Sequence, residues 1–197
     1  MRLVLASGNP DKVREIKEIL ADIEVLPLSS LVDKIEIEES GLTFRENAYI
    51  KARTAFELTG LPSLADDTGL VVYGLHGMPG VFSSRFAGEN AGYEENRRKL
   101  LEALRGLPHS ARRAYFICVI AFIEKPGGVK FFEGKVEGFI TEKPRGQGGF
   151  GYDPLFLYPP LGRTFAELSL REKNRVSHRY RALSKFRGYL NESGISR

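Results

Sequence analysis

The chain has 197 residues, of which 42% are hydrophobic, and a formal net charge of +4. This length fits one domain, or one domain with an added lobe, and the apolar content suffices for a sizeable core. No apolar run approaches the roughly 18 residues of a membrane span, and the N-terminus is too short for a signal-peptide hydrophobic region. The single cysteine, Cys118, excludes an internal disulfide. We therefore expect a cytoplasmic protein with no membrane partner.

The hydrophobic pattern predicts strands and helices that alternate along the chain. The predicted strands are residues 3–6, 34–38, 63–65, 69–73, 114–123, 129–140 and 155–157. The predicted helices are residues 11–20, 43–58, 93–104 and 169–190. Capping boxes mark the second helix at Thr43 and the last at Ser169. This mixture of hairpins and crossovers predicts an α/β fold, in which a mixed β-sheet has flanking helices and the segment 114–123 is a central strand.

The first candidate site lies where the first predicted strand ends and the first helix begins. Its residues are Ser7, Gly8, Asn9, Pro10, Asp11 and Lys12. Backbone N–H groups at a helix start favour an anion, and Lys12 adds positive charge. Gly8 lets the backbone approach a ligand closely. The pattern is typical of a phosphate site, although an ordinary helix cap with Pro10 in its first turn explains the same residues.

Two adjacent carboxylates, Asp66 and Asp67, follow an apolar strand in the sequence LADDTGL. Neighbouring side chains in extended chain point to opposite faces, so one aspartate can face a site while the other faces the scaffold. Carboxylate oxygen suits Mg²⁺, and a carboxylate beside the metal can deprotonate an attacking water. The alternative is a solvated turn. Asp67, Thr68 and Gly69 also match the Asp-Thr-Gly triplet of aspartic proteases. Those enzymes need two aspartates that share a proton, and a second such triplet is absent from the sequence.

A glycine-rich segment, GQGGFGYD at residues 146–153, matches the glycine spacing of dinucleotide-binding loops. Those loops open a helix at the last glycine, and the Tyr152-Asp153-Pro154 sequence cannot do so, which excludes that site. Such a loop still allows close approach to a flat ligand. Phe150 or Tyr152 can stack on a base, and Asp153 can accept a hydrogen bond from base or ribose. A hairpin loop with Phe150 in the core is the equal alternative.

Positive charge is concentrated between residues 163 and 187, a segment that contains eight lysines and arginines but only two glutamates. This segment can meet phosphates, although a solvated basic helix face is the simpler interpretation. Lys173 and His178 lie about 140° apart on an unbroken helix. A break near Ser177 is therefore needed for both side chains to face one ligand.

Six short segments occur in a specific order along nearly the whole chain. They are SGN with Lys12, ESGLTF with ENA at 39–48, ADDTGL at 65–70, PGV with SR at 79–85, GFGYDP at 149–154, and EK with SHR at 172–179. Together they resemble the ITPase family, also called Ham1-like or RdgB-like XTP/dITP diphosphatases. Ser7 stands where threonine is common in that family and Thr68 where serine is common, and both keep the hydroxyl group.

The resemblance implies a single domain over residues 1–197 with an elongated mixed sheet and two lobes around a central cleft. It implies a homodimer that hydrolyses ITP, dITP and XTP to nucleoside monophosphate and pyrophosphate with Mg²⁺. Asp67 is the implied general base and a metal ligand, and Glu39 a second metal ligand. The implied substrate-binding residues are Ser7, Gly8, Asn9, Pro10, Asp11, Lys12, Thr68, Phe150, Gly151, Tyr152, Asp153, Lys173, His178 and Arg179.

Two other functions compete with this hypothesis. A Maf-like pyrophosphatase would act on pyrimidine or modified nucleotides. A non-catalytic nucleotide or RNA binder would use the basic C-terminal segment, but a phosphate binder gains nothing from Asp67 and Glu39 without a metal. We therefore expect purine nucleoside triphosphates as the partners and no stable nucleic-acid partner.

Overall fold

The computed structural model describes residues 1–33 and 35–194, which form seven strands and five α-helices. The strands are β1 (Arg2–Leu5), β2 (Glu24–Pro27), β3 (Ser63–Val72), β4 (Arg113–Lys125), β5 (Gly128–Ile140), β6 (Phe156–Tyr158) and β7 (Arg163–Thr164). The helices are α1 (Pro10–Ile19), α2 (Phe44–Thr59), α3 (Tyr93–Ala103), α4 (Leu170–Val176) and α5 (His178–Glu192). Within these described ranges, no helix combines the length and the apolar character that a membrane span requires.

All seven strands belong to one sheet, in the order β2-β1-β3-β4-β5-β6-β7. Strand β1 runs parallel to both β2 and β3, with Leu3 opposite Val25 and Val4 opposite Ser63. Strands β5, β6 and β7 pair antiparallel. The predicted α/β fold with a mixed sheet and flanking helices is therefore confirmed. Strand β4, predicted to be central because it is so apolar, is fourth of the seven.

The chain divides into two compact units, each with its own hydrophobic core. The first unit comprises Met1–Asp67, Cys118–Gly134 and His178–Arg197, and the second comprises Thr68–Ile117 and Lys135–Ser177. In the first, strand and helix residues such as Leu3, Ile16, Leu64, Phe122 and Phe186 pack together. In the second, the core includes Leu70, Leu100, Phe116, Phe156 and Phe165. That residues 1–197 form a single domain stays a prediction.

The predicted strand at 34–38 is wrong, because residues 35–38 have no regular secondary structure and residue 34 lies outside the described residues. Ile35 and Ile37 are half-buried while Glu36 and Glu38 are exposed. The alternation of apolar and polar residues therefore reflects alternating burial, which occurs in an extended loop as well as in a strand. Strand β2, which pairs with β1 on the side opposite β3, was not predicted, because its four residues are too few to give a clear period.

The acidic pair does not form a turn between two strands. Residues 63–72 form the single strand β3, and Asp66 and Asp67 are both buried within it. Solvation favours a turn only while the carboxylates face water. Here cationic side chains from other elements bind both carboxylates, so the backbone continues in the sheet.

The predicted helix at 169–190 is two helices. Ser169 caps α4, and the predicted capping box with Glu172 is confirmed. Ser177 then has extended backbone, with φ −68° and ψ 160°, between the end of α4 and the start of α5. The break lies near Ser177, where the sequence predicted that one is needed for Lys173 and His178 to face one ligand. The ideal helical angle between these two side chains therefore does not apply.

Candidate active site

Residues 7–12 connect β1 to α1 and form the N-terminus of that helix. Asn9 is the N-cap, and its side-chain oxygen accepts hydrogen bonds from the backbone N–H groups of Asp11 (2.9 Å) and Lys12 (3.3 Å). Pro10 occupies the first turn, as an ordinary helix cap allows. Gly8 is exposed, and a Cβ atom there would meet no atom within 4 Å. The segment is thus both a real helix cap and a backbone that a ligand can approach closely.

Asp66 is the centre of a buried ionic network in the first unit. Arg179 donates to its Oδ2 through Nε (3.4 Å) and Nη2 (3.0 Å), and Lys12 Nζ lies 3.3 Å from the same oxygen. Arg179 also donates through Nη1 to Glu15, and both side chains are about 1% exposed. Burial by itself would lower the pKa of Arg179, but the charges of Asp66 and Glu15 raise it above the usual value. Arg179 therefore stays charged and holds Asp66 in place.

Asp67 belongs to a second network, in which a lysine bridges two carboxylates. Lys51 Nζ lies 2.6 Å from Glu39 Oε1 and 3.3 Å from Asp67 Oδ1. Asn47 Nδ2 donates to the other Asp67 oxygen at 3.4 Å. Burial raises the pKa of Asp67 above its usual value, although the charges of Lys51 and Lys12 oppose that rise. The pKa of Lys51 is also raised, because the charges of Asp67 and Glu39 outweigh the opposing effect of burial.

Helix α2 supplies the groups that orient Asp67. Asn47 and Lys51 are four residues apart and therefore share one face of the helix. The Asn47 side-chain oxygen accepts from the backbone N–H of Gly41 at 2.8 Å, which ties the segment carrying Glu39 to α2. A Cβ atom on Gly41 would lie 2.6 Å from that oxygen, so only glycine fits without moving Asn47.

In the second unit, the glycine-rich loop is closed by a buried ion pair. Lys173 Nζ donates to Asp153 Oδ2, and both side chains are nearly inaccessible. The same Asp153 oxygen accepts from the backbone N–H of Phe150 at 2.9 Å. Gly149 has φ +67°, and a Cβ atom there would overlap that carboxylate. Lys173 Nζ also lies 4.6 Å from the centre of the half-buried Phe150 ring.

Tyr152 differs from Phe150 in where its ring lies. Its hydroxyl donates to the backbone carbonyl of Ser83 at 2.9 Å, and its ring is part of the second core. Burial raises the pKa of this hydroxyl well above its usual value. Of the two aromatic residues considered for base stacking, Phe150 is the more exposed.

The family of the chain follows from its similarity to known proteins. A family model described as the Ham1 family matches residues 3–189 of the chain. The chain belongs to the Ham1 family. The family predicted from six short segments is therefore confirmed.

Relatives of this Ham1-family chain are named for one activity. A dITP/XTP pyrophosphatase of Geobacter sulfurreducens is 50% identical to it over 98% of each chain. One from Thermus thermophilus is also 50% identical, over 93% of this chain and 88% of its own. A solved structure of a HAM1 protein from Coxiella burnetii has 47% identity and a TM-score of 0.89, and covers 98% of this chain and 99% of its own. The Staphylococcus aureus Ham1 structure has 39% identity and a TM-score of 0.88, with 98% and 100% coverage.

The site residues expected for a Ham1 protein fall in both units. The first unit contains Ser7, Gly8, Asn9, Pro10, Asp11, Lys12, Glu39, Asp67, His178 and Arg179. The second contains Thr68, Phe150, Gly151, Tyr152, Asp153 and Lys173. Within the first unit, Lys12 and Arg179 meet at Asp66, and Glu39 and Asp67 meet at Lys51. Within the second, Phe150, Asp153 and Lys173 are in mutual contact.

Glu15, Asn47 and Lys51 were not predicted as members of these ionic networks, although Asn47 lies in the ENA segment. A usable signal was present for the last two. The buried face of α2 comprises Asn47, Ala48, Lys51, Ala52 and Ala55. Two polar residues at helical spacing on an otherwise small, apolar face indicate that another group binds them. Glu15 gave no comparable signal, because a glutamate in a helix is usually exposed.

The residues fit the divalent cation that the family implies. Oxygens of Glu39 and Asp67 both lie within hydrogen-bonding distance of one ammonium group, so two carboxylates converge on a single positive charge. Proteins usually hold Mg²⁺ with one or two carboxylates, while waters and substrate phosphates complete the coordination. The described residues contain no group of three or more His, Cys, Asp or Glu side chains that could hold a metal. Glu39 and Asp67, which meet at one positive charge, match the one or two carboxylates that usually hold such a divalent cation.

Proposed function

We propose that this protein hydrolyses dITP, XTP and ITP to the nucleoside monophosphate and pyrophosphate, with Mg²⁺ as cofactor. The observation that carries the proposal is that Glu39 and Asp67 converge on one positive charge, the ammonium group of Lys51, in a Ham1-family chain. The names of relatives that are 50% identical support the same substrates.

In this proposal Asp67 is both the general base and a metal ligand, and Glu39 is the second metal ligand. Asp67 accepts a proton from a water whose oxygen then bonds to the α-phosphorus. The bond from that phosphorus to the oxygen bridging to the β-phosphate breaks, and pyrophosphate leaves with the bonding electrons. When bound, Mg²⁺ supplies positive charge that offsets the negative charge of the phosphates. The raised pKa of Asp67 suits a base, because a more basic carboxylate takes the proton more readily.

We assign the triphosphate to residues 7–12. The N-terminus of α1 and the open backbone at Gly8 favour an anion, and Lys12 adds charge close to it. The side chain of Lys12 is 16% exposed although it pairs with Asp66, whose side chain is fully buried. Lys12 can therefore keep this ion pair and also meet a phosphate.

We assign the base and ribose to Thr68, His178 and the loop over residues 150–153 with Lys173. The Phe150 ring is the stacking surface, and Asp153 accepts from the nucleotide. Hypoxanthine and xanthine carry a 6-oxo acceptor where adenine carries an amino donor. A protein donor left unpaired against adenine lowers its affinity roughly ten- to a hundredfold. Arg179 supports Asp66 through its guanidinium group, and its contact with the nucleotide stays a prediction.

We also propose that the protein is a homodimer, as the family resemblance implies. A mass in solution of twice the 22.0 kDa of one chain, measured by light scattering, is the expected result. Its localisation in the cytoplasm stays a prediction.

The deciding experiment measures pyrophosphate release from ITP, dITP, XTP, GTP, ATP, dTTP and UTP, each with and without Mg²⁺. We expect release from the first three that requires the metal. A preference for dTTP or UTP would support the Maf-like alternative, against which the Ham1 relatives already weigh. Steeply salt-dependent RNA binding without hydrolysis would support a binding module.

A further inference from the structure

Three side chains of the loop over residues 149–153 are held by contacts with other parts of the second unit. Phe150 contacts Lys173 and, at 6.0 Å between ring centres, Tyr93. Tyr152 is held through its hydroxyl, and Asp153 is held by Lys173. Asp153 in turn accepts from the backbone N–H of Phe150, but none of these contacts includes the peptide between Gly151 and Tyr152.

Arg97 anchors that peptide. Its Nη1 donates to the backbone carbonyl oxygen of Gly151 at 2.8 Å. Gly151 has φ +57°, a left-handed conformation that glycine adopts without strain but from which it can also readily depart. A charge-assisted hydrogen bond to this carbonyl selects one of the conformations open to the glycine.

Two side chains of helix α3 contact the loop. Tyr93 and Arg97 are four residues apart in α3, so they share one face, and both contact the same loop. Because a peptide unit is planar, fixing the Gly151 carbonyl also fixes the Tyr152 N–H, which points the opposite way from the carbonyl. The two residues that share this peptide were both assigned to the nucleotide.

We propose that Arg97 is a positioning residue, which holds the Gly151–Tyr152 peptide in the orientation that binds the nucleotide. Arg97 does not touch the reacting phosphates in this proposal, so it acts on substrate affinity and leaves the chemical step unchanged. The inference rests on the proposed function for the assignment of the loop to the nucleotide. The contact between Arg97 and the loop stands independently of it.

The test compares Arg97→Met and Arg97→Lys with the wild-type protein. Without the guanidinium group the loop samples further conformations, and the apparent affinity for the nucleotide is multiplied by the fraction of molecules whose loop remains competent to bind. We expect Arg97→Met to raise KM for ITP about three- to tenfold while kcat changes less than about twofold. Arg97→Lys, which keeps the charge and the aliphatic stem, should recover part of the loss. Hydrogen exchange should become faster for residues 149–153 in Arg97→Met.

Arg98→Met is the matched control, because Arg98 is the next residue of α3, is exposed, and points about 100° away around the helix. It should leave KM, kcat and loop exchange unchanged. Unchanged KM and exchange in Arg97→Met, or a loss in kcat alone, would overturn the proposal. If the wild-type protein hydrolyses none of the nucleotides, the proposed function fails, and the exchange comparison alone decides whether Arg97 orders the loop. Melting curves check folding, and Arg97→Lys carries the comparison if Arg97→Met does not fold.

Discussion

Asp66 and Asp67 are adjacent in β3, yet their carboxylates bind different cations. Asp66 pairs with Arg179 and Lys12, whereas Asp67 pairs with Lys51. Alternation along the strand places the two side chains on opposite faces, as expected for extended chain. One carboxylate is thereby held by a buried arginine, while the other shares a lysine with the half-exposed Glu39.

Arg179→Met should destabilise the protein by about 3–5 kcal/mol, because it leaves the buried carboxylates of Glu15 and Asp66 without their main counter-charge. Urea unfolding measures the change. Arg175→Met, at an exposed position, should stay within about 0.5 kcal/mol of wild type. Equal stabilities for the two variants would mean that the network contributes nothing to folding.

Asp67→Asn should reduce kcat for ITP by about 10²–10⁴-fold, because the amide cannot accept the proton from water. The variant should remain folded and still bind nucleotide. Glu38→Gln removes an exposed carboxylate next to Glu39 in the sequence and should retain full activity. Full activity in Asp67→Asn would remove this residue from the mechanism.

The raised pKa of Asp67 predicts the acid side of the pH profile. The ionised carboxylate is the active form, so kcat/KM should fall as the pH decreases through a midpoint above 3.8, the usual value for aspartate. Lys51→Met removes a positive charge that lowers this pKa, so the midpoint should move to higher pH. Both proteins are measured at the same Mg²⁺ concentration. A midpoint that moves to lower pH in Lys51→Met would contradict the assignment.

Gly8→Ala should separate binding from folding. The added methyl group has open space and should hardly change stability, but it lies where the triphosphate is proposed to approach the backbone. We expect triphosphate binding to weaken by about 1–3 kcal/mol, as for overpacking of a close contact. Calorimetric titration measures the affinities for a non-hydrolysable triphosphate analogue and for IMP, whose binding should change less.

Gly188→Ala is the control for that variant, since a Cβ atom at Gly188 also meets no atom within 4 Å. It lies inside α5, where alanine is favoured over glycine, and should leave nucleotide binding unchanged. Equal losses of triphosphate affinity in both variants would show that Gly8 has no special relation to the phosphates.

Interactions between residues close in the sequence were predictable, whereas the partners of the buried charged side chains were not. The capping boxes at Thr43 and Ser169 depend on residues three positions apart, and both were found. The partners of Asp66 and Asp67 come from α1, α2 and α5, up to 113 positions away. Without these partners, the sequence around Asp67 left a solvated turn open as the alternative to a site. Arg179 shows the same limit, because one basic residue in a basic segment gives no sign that it is fully buried.

Gly41 shows how a residue without a side chain can control chemistry at a distance. Any side chain at this position would push Asn47 away from its hydrogen bond to the Gly41 backbone, and Asn47 also holds an oxygen of Asp67. In a saturation screen for activity, position 41 should therefore be as intolerant of replacement as the acidic residues themselves. A loss of turnover there would reflect misalignment of the base rather than loss of a reactive group.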